Sequence, residues 1–488
     1  MNELENLNSW HADWRGLRVV VFGLGVTGFS VADTLAELGC QVLVVAEKAD
    51  PELVDILDVI GVTHITGEAA KGLPQQVIDF RPQLVVTSPG VRPEHDLLGW
   101  SAEQSIPIWV DIDLAWRVRD KTTRVADWLV VTGTNGKTTT VQMVEAMLNR
   151  GGKKAIACGN IGTPILDAIR DPEGFDALIV ELSSFQLHYL GEIHPYSSAV
   201  LNLADDHLDW HGSFEAYRDA KAKVYENTAV ACVYNTADLA TEKMVENADV
   251  HEGARAIGFT TGTPGRSQVG FVEDILCDRA FLDDRANSAL EIATLDDLSK
   301  IGVLTPHLMA NAAAAVAMAR SYGIDPADVR AALLDFRLDA HRIELVAEQD
   351  GIRWIDDSKA TNPHAAAASL NSFEKVIWVV GGLLKGVDLN DLVKKFADRL
   401  SAAIVIGVDR SHVVEVLSAQ IPNLPVFEIS AADNTDVMPQ VVEAASKFTE
   451  AGSVVLLAPA AASMDQFKDY ADRGNQFAEA VRAHLETA

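Results

Sequence analysis

Short runs of β-branched residues alternate with helical stretches along almost the whole chain, and few folds accommodate that rhythm. Parallel strands need a crossover of a dozen or more residues, usually a helix, so the alternation implies the α/β class, with parallel sheets covered by helices. The runs include LRVVVF at 17–22, QVLVVAE at 41–47, QLVVTS at 83–88, WLVVTG at 128–133, DALIVEL at 176–182, KVIWVVGG at 375–382, AAIVIG at 402–407 and SVVLLAP at 453–459. They are nearly continuous in apolar residues, as strands buried on both faces are. At roughly 150 residues per domain, 488 residues make about three domains. Polar stretches at 111–127 and 335–342 supply the boundaries, giving domains of 1–111, 112–335 and 336–488. The turn-rich segment 262–297 reads as a peripheral hairpin with loops.

Composition narrows the function. Forty Lys and Arg against seventy Asp and Glu leave a charge of -30, which repels nucleic acid and anionic membrane surfaces alike. Cys40, Cys158, Cys232 and Cys277 lie far apart with no C-x-x-C pair, so they read as buried thiols in a reducing compartment rather than a disulfide framework or thiolate metal site. The N-terminus lacks a basic region followed by an apolar stretch, and no uninterrupted apolar run reaches the ~18 residues of a spanning helix. A cytoplasmic protein with no membrane span is expected.

Two glycine-rich turns join a strand to a helix, which argues for two nucleotide-like ligands. In GLGVTG, Gly23, Gly25 and Gly28 let backbone approach a diphosphate at a helix N-terminus, and Glu47, one strand later, is placed to bond a ribose hydroxyl. NAD and a UDP-sugar fit this motif equally, and a merely tight turn is the plain alternative. The second turn, VVTGTNGKTTT, is sharper. Its loop amides can cradle phosphates, Lys137 can reach the β/γ oxygens and Thr138 can ligate Mg²⁺. Val131 stands where the strict pattern has a glycine, which implies a shortened loop.

Further polar residues follow strands. Glu181 in ELSSFQL reads either as a second metal ligand or as a solvated acid at a strand end. Asp205, Asp206 and His207 follow the next strand, with His207 either structural or a ligand. Lys221 and Lys223 lie on an amphipathic helix, where a solvated face is the plain reading. Asn311, the polar residue in an Ala-rich helix, suits a structural hydrogen bond or an adenine edge. Arg342, Lys359 and Lys385 suggest a local anion site in an acidic chain, although each alone suits a surface position. Neither a G-x-S-x-G elbow nor an H-E-x-x-H helix is present, so hydrolase and zinc-protease readings have no support.

At GTNGKT, GNIG (159–162), ELSSFQL, DDH followed by YRDAK, HRIE (341–344), DDSKATN (356–362) and SMDQF (463–467), the chain resembles the Mur ligases of peptidoglycan synthesis. The resemblance runs in order from about residue 16 to the C-terminus. It implies a Rossmann-like N-terminal domain for a UDP moiety, a central P-loop ATPase domain and a Rossmann-like C-terminal domain that closes over the amino acid. The implied reaction is ATP-dependent joining of D-glutamate to UDP-N-acetylmuramoyl-L-alanine (UDP-MurNAc-L-Ala) through an acyl phosphate, by a monomer with no nucleic-acid partner. By the same resemblance the ATP site takes Gly133, Thr134, Asn135, Gly136, Lys137, Thr138, Thr139, Thr140, Asn311, Arg342 and Asp357. Two Mg²⁺ ions would be held by Thr138, Glu181, His207 and Lys221, the last matching a lysine that is carbamylated in the family. Lys137, Glu181, His207 and Lys221 are the implied catalytic set. Gly23, Gly25, Thr27, Gly28, Glu47, Ser88 and Asn160 match the UDP-substrate side, and Lys359, Thr361, Lys385, Ser463 and Tyr470 the D-glutamate pocket.

The sequence departs from the family pattern at HLMAN (307–311), where Leu308 replaces an Asn, and Glu47 and Tyr470 are variant choices at their positions. Two other classes compete. A nicotinamide dehydrogenase would use GLGVTG and leave the P-loop idle, and a nucleotide-sensing partner protein would need the P-loop without Glu181, His207 and Lys221.

Overall fold

The computed structural model describes residues 3–384, 386–430 and 434–487. Its first sheet has five parallel strands, β1 (Arg18–Leu24), β2 (Gln41–Ala49), β3 (Thr63–Thr66), β4 (Leu84–Thr87) and β5 (Ile108–Trp109), in the order β3-β2-β1-β4-β5. The chain leaves β1 toward one edge and returns to fill the other, so β1 and β4 flank a topological switch point, where open α/β sheets bind ligands. Gly23 and Ser88 stand at those two strand ends.

The second sheet has nine strands: β6 (Asp127–Thr132), β7 (Ala155–Gly159), β8 (Ala177–Glu181), β9 (Ser197–Val200), β10 (Ala231–Asn235), β11 (Arg255–Phe259), β12 (Gln268–Val272), β13 (Ile275–Asp278) and β14 (Leu290–Thr294). Their order is β14-β13-β12-β11-β10-β9-β6-β8-β7, parallel except for the β12–β13–β14 antiparallel edge, which is the expected hairpin. Strand β9 carries two serines yet is fully buried. Ser197 Oγ pairs with Ser321 Oγ at 2.8 Å and Ser198 Oγ with Thr228 Oγ1 at 2.7 Å, which removes the cost of burying bare hydroxyls.

Both sheets belong to one compact unit, Met1–Leu203, Trp210–Thr294 and Ala310–Leu333. One apolar core containing Val19, Val21, Leu35, Trp128 and Leu178 runs through it. Helix Val26–Glu37 of the first sheet meets helix Ile165–Arg170 of the second, where Ser30 Oγ donates to Asp167 at 2.6 Å and Arg170 pairs with Asp33.

The second unit, Ala204–Asp209, Leu295–Met309 and Leu334–Ala488, contains β15 (Glu344–Gln349), β16 (Ile352–Asp356), β17 (Val376–Gly381), β18 (Leu400–Ile406), β19 (Val426–Glu428) and β20 (Val454–Leu457). The order is β15-β16-β20-β17-β18-β19, with β15 antiparallel to β16 and the remaining pairs parallel. Trp378, Val380 and Leu456 enter one core, and Ile377, Val379 and Val455 the opposite one. Burial on both faces is why these strands lack polar alternation.

Among the described residues, no helix is long and apolar enough to cross a membrane. Cys158, Cys232 and Cys277 are buried; Cys40 is only half-buried, unlike the expectation, yet burial still pushes its thiol up to about 12.

Candidate active site

The phosphate-loop residues lie between β6 and helix Lys137–Arg150. Gly136 caps that helix in the left-handed region at φ 85°, and a Cβ there would stand 2.3 Å from Asn311 Oδ1. Only glycine meets both conditions without strain. Gly133 packs so closely on the end of β9 that a Cβ would lie 3.0 Å from the Leu201 side chain. Lys137 Nζ donates to the carbonyls of Gly133 (2.9 Å) and Thr134 (3.0 Å), so its charge is held over the loop. Thr138 Oγ1 donates to Glu181 Oε2 at 2.9 Å, and Asn160 Nδ2 donates to Glu181 Oε1 at 3.1 Å. Thr139 and Thr140 are buried in the first turn of the helix.

Glu181 closes β8 with 3 % of its surface exposed, so the solvated-acid reading fails. Its carboxylate and the Thr138 hydroxyl are hard oxygen donors, the kind that Mg²⁺ takes, and a glycine-built cradle beside a lysine suits a polyphosphate. Lys221 also departs from the plain reading. It is 2 % exposed, and its Nζ donates to Thr132 Oγ1 (3.1 Å) and Gly133 O (3.0 Å) while lying 4.9 Å from the Tyr217 ring centre. Helical spacing of four puts Tyr217 and Lys221 on one face of helix Phe214–Ala222, and Tyr217 OH in turn lies 2.8 Å from Thr134 Oγ1. Lys223, by contrast, is half-buried and donates to His188 O.

A residue that sequence reasoning passed over is Asn202, inside the NLADDH segment. It accepts the Thr134 N–H at its carbonyl (2.9 Å) and the Asn135 N–H at Oδ1 (2.9 Å), and its Nδ2 donates to Asn135 O (3.0 Å). His207 belongs to the second compact unit, where it has φ 53° and its Nε2 lies 3.7 Å from Asp206 Oδ2.

At the first sheet, Gly23 (φ 105°) faces Ser88: a Cβ on Gly23 would reach 2.4 Å from Ser88 Oγ, and one on Gly28 would reach 2.1 Å from Gly23 O. Gly25 caps helix Val26–Glu37, with half-buried Thr27 in its first turn. Ser88 Oγ is buried without a protein partner, a position that suits a ligand oxygen. Glu47 is exposed, and its Oε1 lies 3.4 Å from His95 Nε2. His95 Nδ1 accepts the Leu97 N–H at 3.2 Å, which leaves Nε2 as the protonated nitrogen facing Glu47.

In the second unit, Arg342 lies between two left-handed residues, His341 (φ 67°) and Ile343 (φ 46°). The turn is braced by His341 Nδ1 against Asp356 Oδ2 (2.7 Å) and by the His341 N–H donating to Glu344 Oε2 (2.8 Å). His341, Glu344 and Asp356 also bring potential metal-ligand atoms within 4.8 Å of one another, and the brace already engages His341 Nδ1, Asp356 Oδ2 and Glu344 Oε2. Asp357 is buried, and burial pushes its carboxyl up to about 6; it hydrogen-bonds Ser369 and accepts the Ile343 N–H at 3.2 Å. Arg342 Nε is buried without a partner, a guanidinium edge suited to an anion. Lys359 Nζ sits 3.8 Å from the Tyr470 ring centre, Thr361 N–H donates to Lys359 O, and Ser463 is buried. Lys385 lies outside the described residues. Fully buried Arg473, which the sequence reading did not single out, joins the two loops: Nε donates to Ser358 Oγ (2.9 Å), Nη2 to Ser358 O (2.8 Å) and Nη1 to Ala461 O (3.2 Å).

Comparison with known proteins gives three consecutive family matches: the Mur ligase MurD-like N-terminal domain at residues 17–110, the Mur ligase middle domain at 131–319 and the Mur ligase glutamate ligase domain at 341–461. A protein of Leifsonia xyli subsp. xyli named UDP-N-acetylmuramoylalanine--D-glutamate ligase is 58% identical, covering 99% of this chain and 95% of its own length. Proteins of the same name from Streptomyces avermitilis and Mycolicibacterium smegmatis are 48% and 40% identical, each over 96% of this chain and 99% and 97% of theirs. Among solved structures, UDP-N-acetylmuramate-alanine ligase from Thermotoga maritima shares the fold with a TM-score of 0.55 at 19% identity, over 96% of this chain and 99% of that one. A MurF ligase from the same organism, solved with ADP, has a TM-score of 0.55 at 18% identity, over 85% and 92%. The three domain matches follow the order of the three sheets, and the relatives align over nearly their full lengths: the chain belongs to the Mur ligase family.

Proposed function

We propose that this chain joins D-glutamate to UDP-MurNAc-L-Ala at the expense of ATP, within cytoplasmic peptidoglycan precursor synthesis, and that it acts as a monomer. Its domains are taken as 1–111, 112–335 and 336–488. The observation that carries the reading is the Thr138–Glu181 pair at 2.9 Å beside Lys137, at the mouth of a glycine cradle. The relatives' shared name supports the amino acid.

A carboxylate is a poor electrophile until one of its oxygens becomes a phosphate. Transfer of the γ-phosphoryl group to the substrate carboxylate supplies that leaving group and releases ADP. The neutral D-glutamate amine then attacks the carbonyl carbon, the C–O bond to phosphate breaks with its electron pair leaving on phosphate, and the nitrogen sheds a proton to solvent as the amide forms. Two polyanions must be held together for this, and positioned cations and amides achieve it mainly by proximity and electrostatic preorganisation. Lys137 and the loop Gly133–Thr140 hold the phosphates, while Asn311, Arg342 and Asp357 serve the nucleotide. Bound Mg²⁺, expected as two ions, would neutralise charge on the phosphoryl oxygens. Thr138, Glu181, His207 and a carbamylated Lys221 would hold it. The loop of Gly23, Gly25, Thr27 and Gly28, with Glu47 and Ser88, takes the uridine diphosphate, and Asn160 faces the acceptor end. Lys359, Thr361, Lys385, Ser463 and Tyr470 bind D-glutamate.

Phosphate release from ATP, measured with UDP-MurNAc-L-Ala and a panel of amino acids, tests the proposal. Release confined to D-glutamate is expected; release with another amino acid alone, or none with any, overturns it.

A further inference from the structure

We propose that Asn202 is a positioning residue for ATP that extends the sheet into the phosphate loop; this rests on the P-loop reading above. Strands β6 and β9 pair in parallel through Thr132 and Val200, and the ladder continues past both ends as Leu201 N–H donates to Thr132 O at 3.0 Å and Thr134 N–H to Asn202 O at 2.9 Å. Beyond that point the backbone of β9 turns away toward Leu203, whose N–H donates to Asp238 Oδ2. The Asn202 side chain takes the place of the next peptide. Its amide carries one acceptor and two donors in a plane, as a peptide group carries its pair, and it closes a two-point pairing with Asn135 through Oδ1···N (2.9 Å) and Nδ2···O (3.0 Å).

Two consequences follow for the loop. The Thr134 and Asn135 amides are engaged by Asn202, so within the loop Gly133–Thr140 the backbone donors offered to the phosphates are those from Gly136 onward, with Lys137 Nζ. The pairing also fixes the peptide that leads into Gly136, whose left-handed φ aims the helix start. A loop released from Asn202 would have to be ordered by the nucleotide itself, which weakens binding without touching the chemistry of the acceptor. The two side-chain contacts also explain why asparagine suits the position: alanine removes both, and aspartate keeps the acceptor, loses the donor and adds an anion beside the phosphates.

The test uses the full-length protein and measures KM for MgATP, UDP-MurNAc-L-Ala and D-glutamate, together with the thermal midpoint. For Asn202→Ala, the loss of two hydrogen bonds predicts a KM for MgATP raised about 10- to 100-fold. The other two KM values should stay within about two-fold. Asn202→Asp should bind MgATP more weakly than Asn202→Ala. Lys137→Ala is run in parallel, and because it lacks turnover its nucleotide binding, with that of the Asn202 variants, is read by direct calorimetric titration of MgATP. If Lys137→Ala loses nucleotide binding and both Asn202 variants keep it, the positioning role is wrong and the P-loop stands. If Lys137→Ala keeps wild-type nucleotide binding, the P-loop reading falls and this inference with it. Equal losses for all three substrates, with a collapsed thermal midpoint, would make Asn202 merely structural and overturn the proposal.

Discussion

The tightest contact at the phosphate loop gives a quantitative prediction. Gly136→Ala asks the chain for two things: an L-residue at φ 85°, and room for a Cβ 2.3 Å from Asn311 Oδ1. The first costs about 1–2 kcal/mol. The second forces the Asn311 amide aside, since real Cβ contacts do not approach so closely; the atoms met all belong to the end of that half-buried side chain, so the cost is that of a shifted rotamer, about 0.5–1.5 kcal/mol. Chemical denaturation of Gly136→Ala should therefore show a loss of about 1.5–3.5 kcal/mol. Asn311→Ala removes the obstructing amide but leaves the backbone strain. In that background Gly136→Ala should lose only about 1–2 kcal/mol, and the difference is the coupling between the two sites. Equal losses in both backgrounds would show that the two residues do not press on each other and would refute the packing argument.

Three further outcomes are expected. Lys137→Ala should abolish phosphate release with binding of the UDP substrate retained, checked by titrating that substrate against the variant; normal turnover would remove Lys137 from the phosphate site. Lys221→Ala should lose most activity, Lys221→Arg should not restore it because guanidinium stays cationic, and wild-type turnover should fall in CO₂-depleted buffer; a fully active Lys221→Arg under CO₂ depletion would dismiss the carbamate. Burial raises the Asp111 carboxyl from 3.8 to about 6, while its two oxygens accept from Gln186 Nε2. The folded state therefore holds this proton more tightly, and stability is lost as pH rises from about 4 to 6, by about 3 kcal/mol for this group. Asp111→Asn should gain on wild type by up to that amount between pH 4 and pH 8 in urea unfolding, and a pH-independent difference would contradict the assignment.

The α/β class and the phosphate loop were legible because each rests on local pattern: all eight named apolar runs became strands, and GTNGKT stands between a strand and a helix. Strand β9 was harder to read, because its serines are made compatible with burial by Ser321 and Thr228, which are distant in sequence. Lys221 looked like one of many lysines on a polar helix; its burial depends on a strand end 88 residues away. Asn202 and Arg473 escaped notice for a related reason. Asn202 reaches Asn135 across 67 residues and Arg473 reaches Ser358 across 115, and no periodicity marks such a residue. The first two sheets, separated by composition, share one apolar core.

For the D-glutamate pocket proposed above, Arg473 has a consequence for how amino-acid choice can change over generations. One guanidinium supports the Ser358 and Ala461 backbones together, so the loop bearing Asp357, Lys359 and Thr361 and the loop leading to Ser463 cannot drift independently. A substitution that shifts one loop alters the reference point of the other, and mutational effects across the pair should be non-additive. Grafting a different amino-acid preference onto this scaffold would then require exchanging both loops at once while keeping the arginine, and single-loop chimeras should lose affinity rather than switch it.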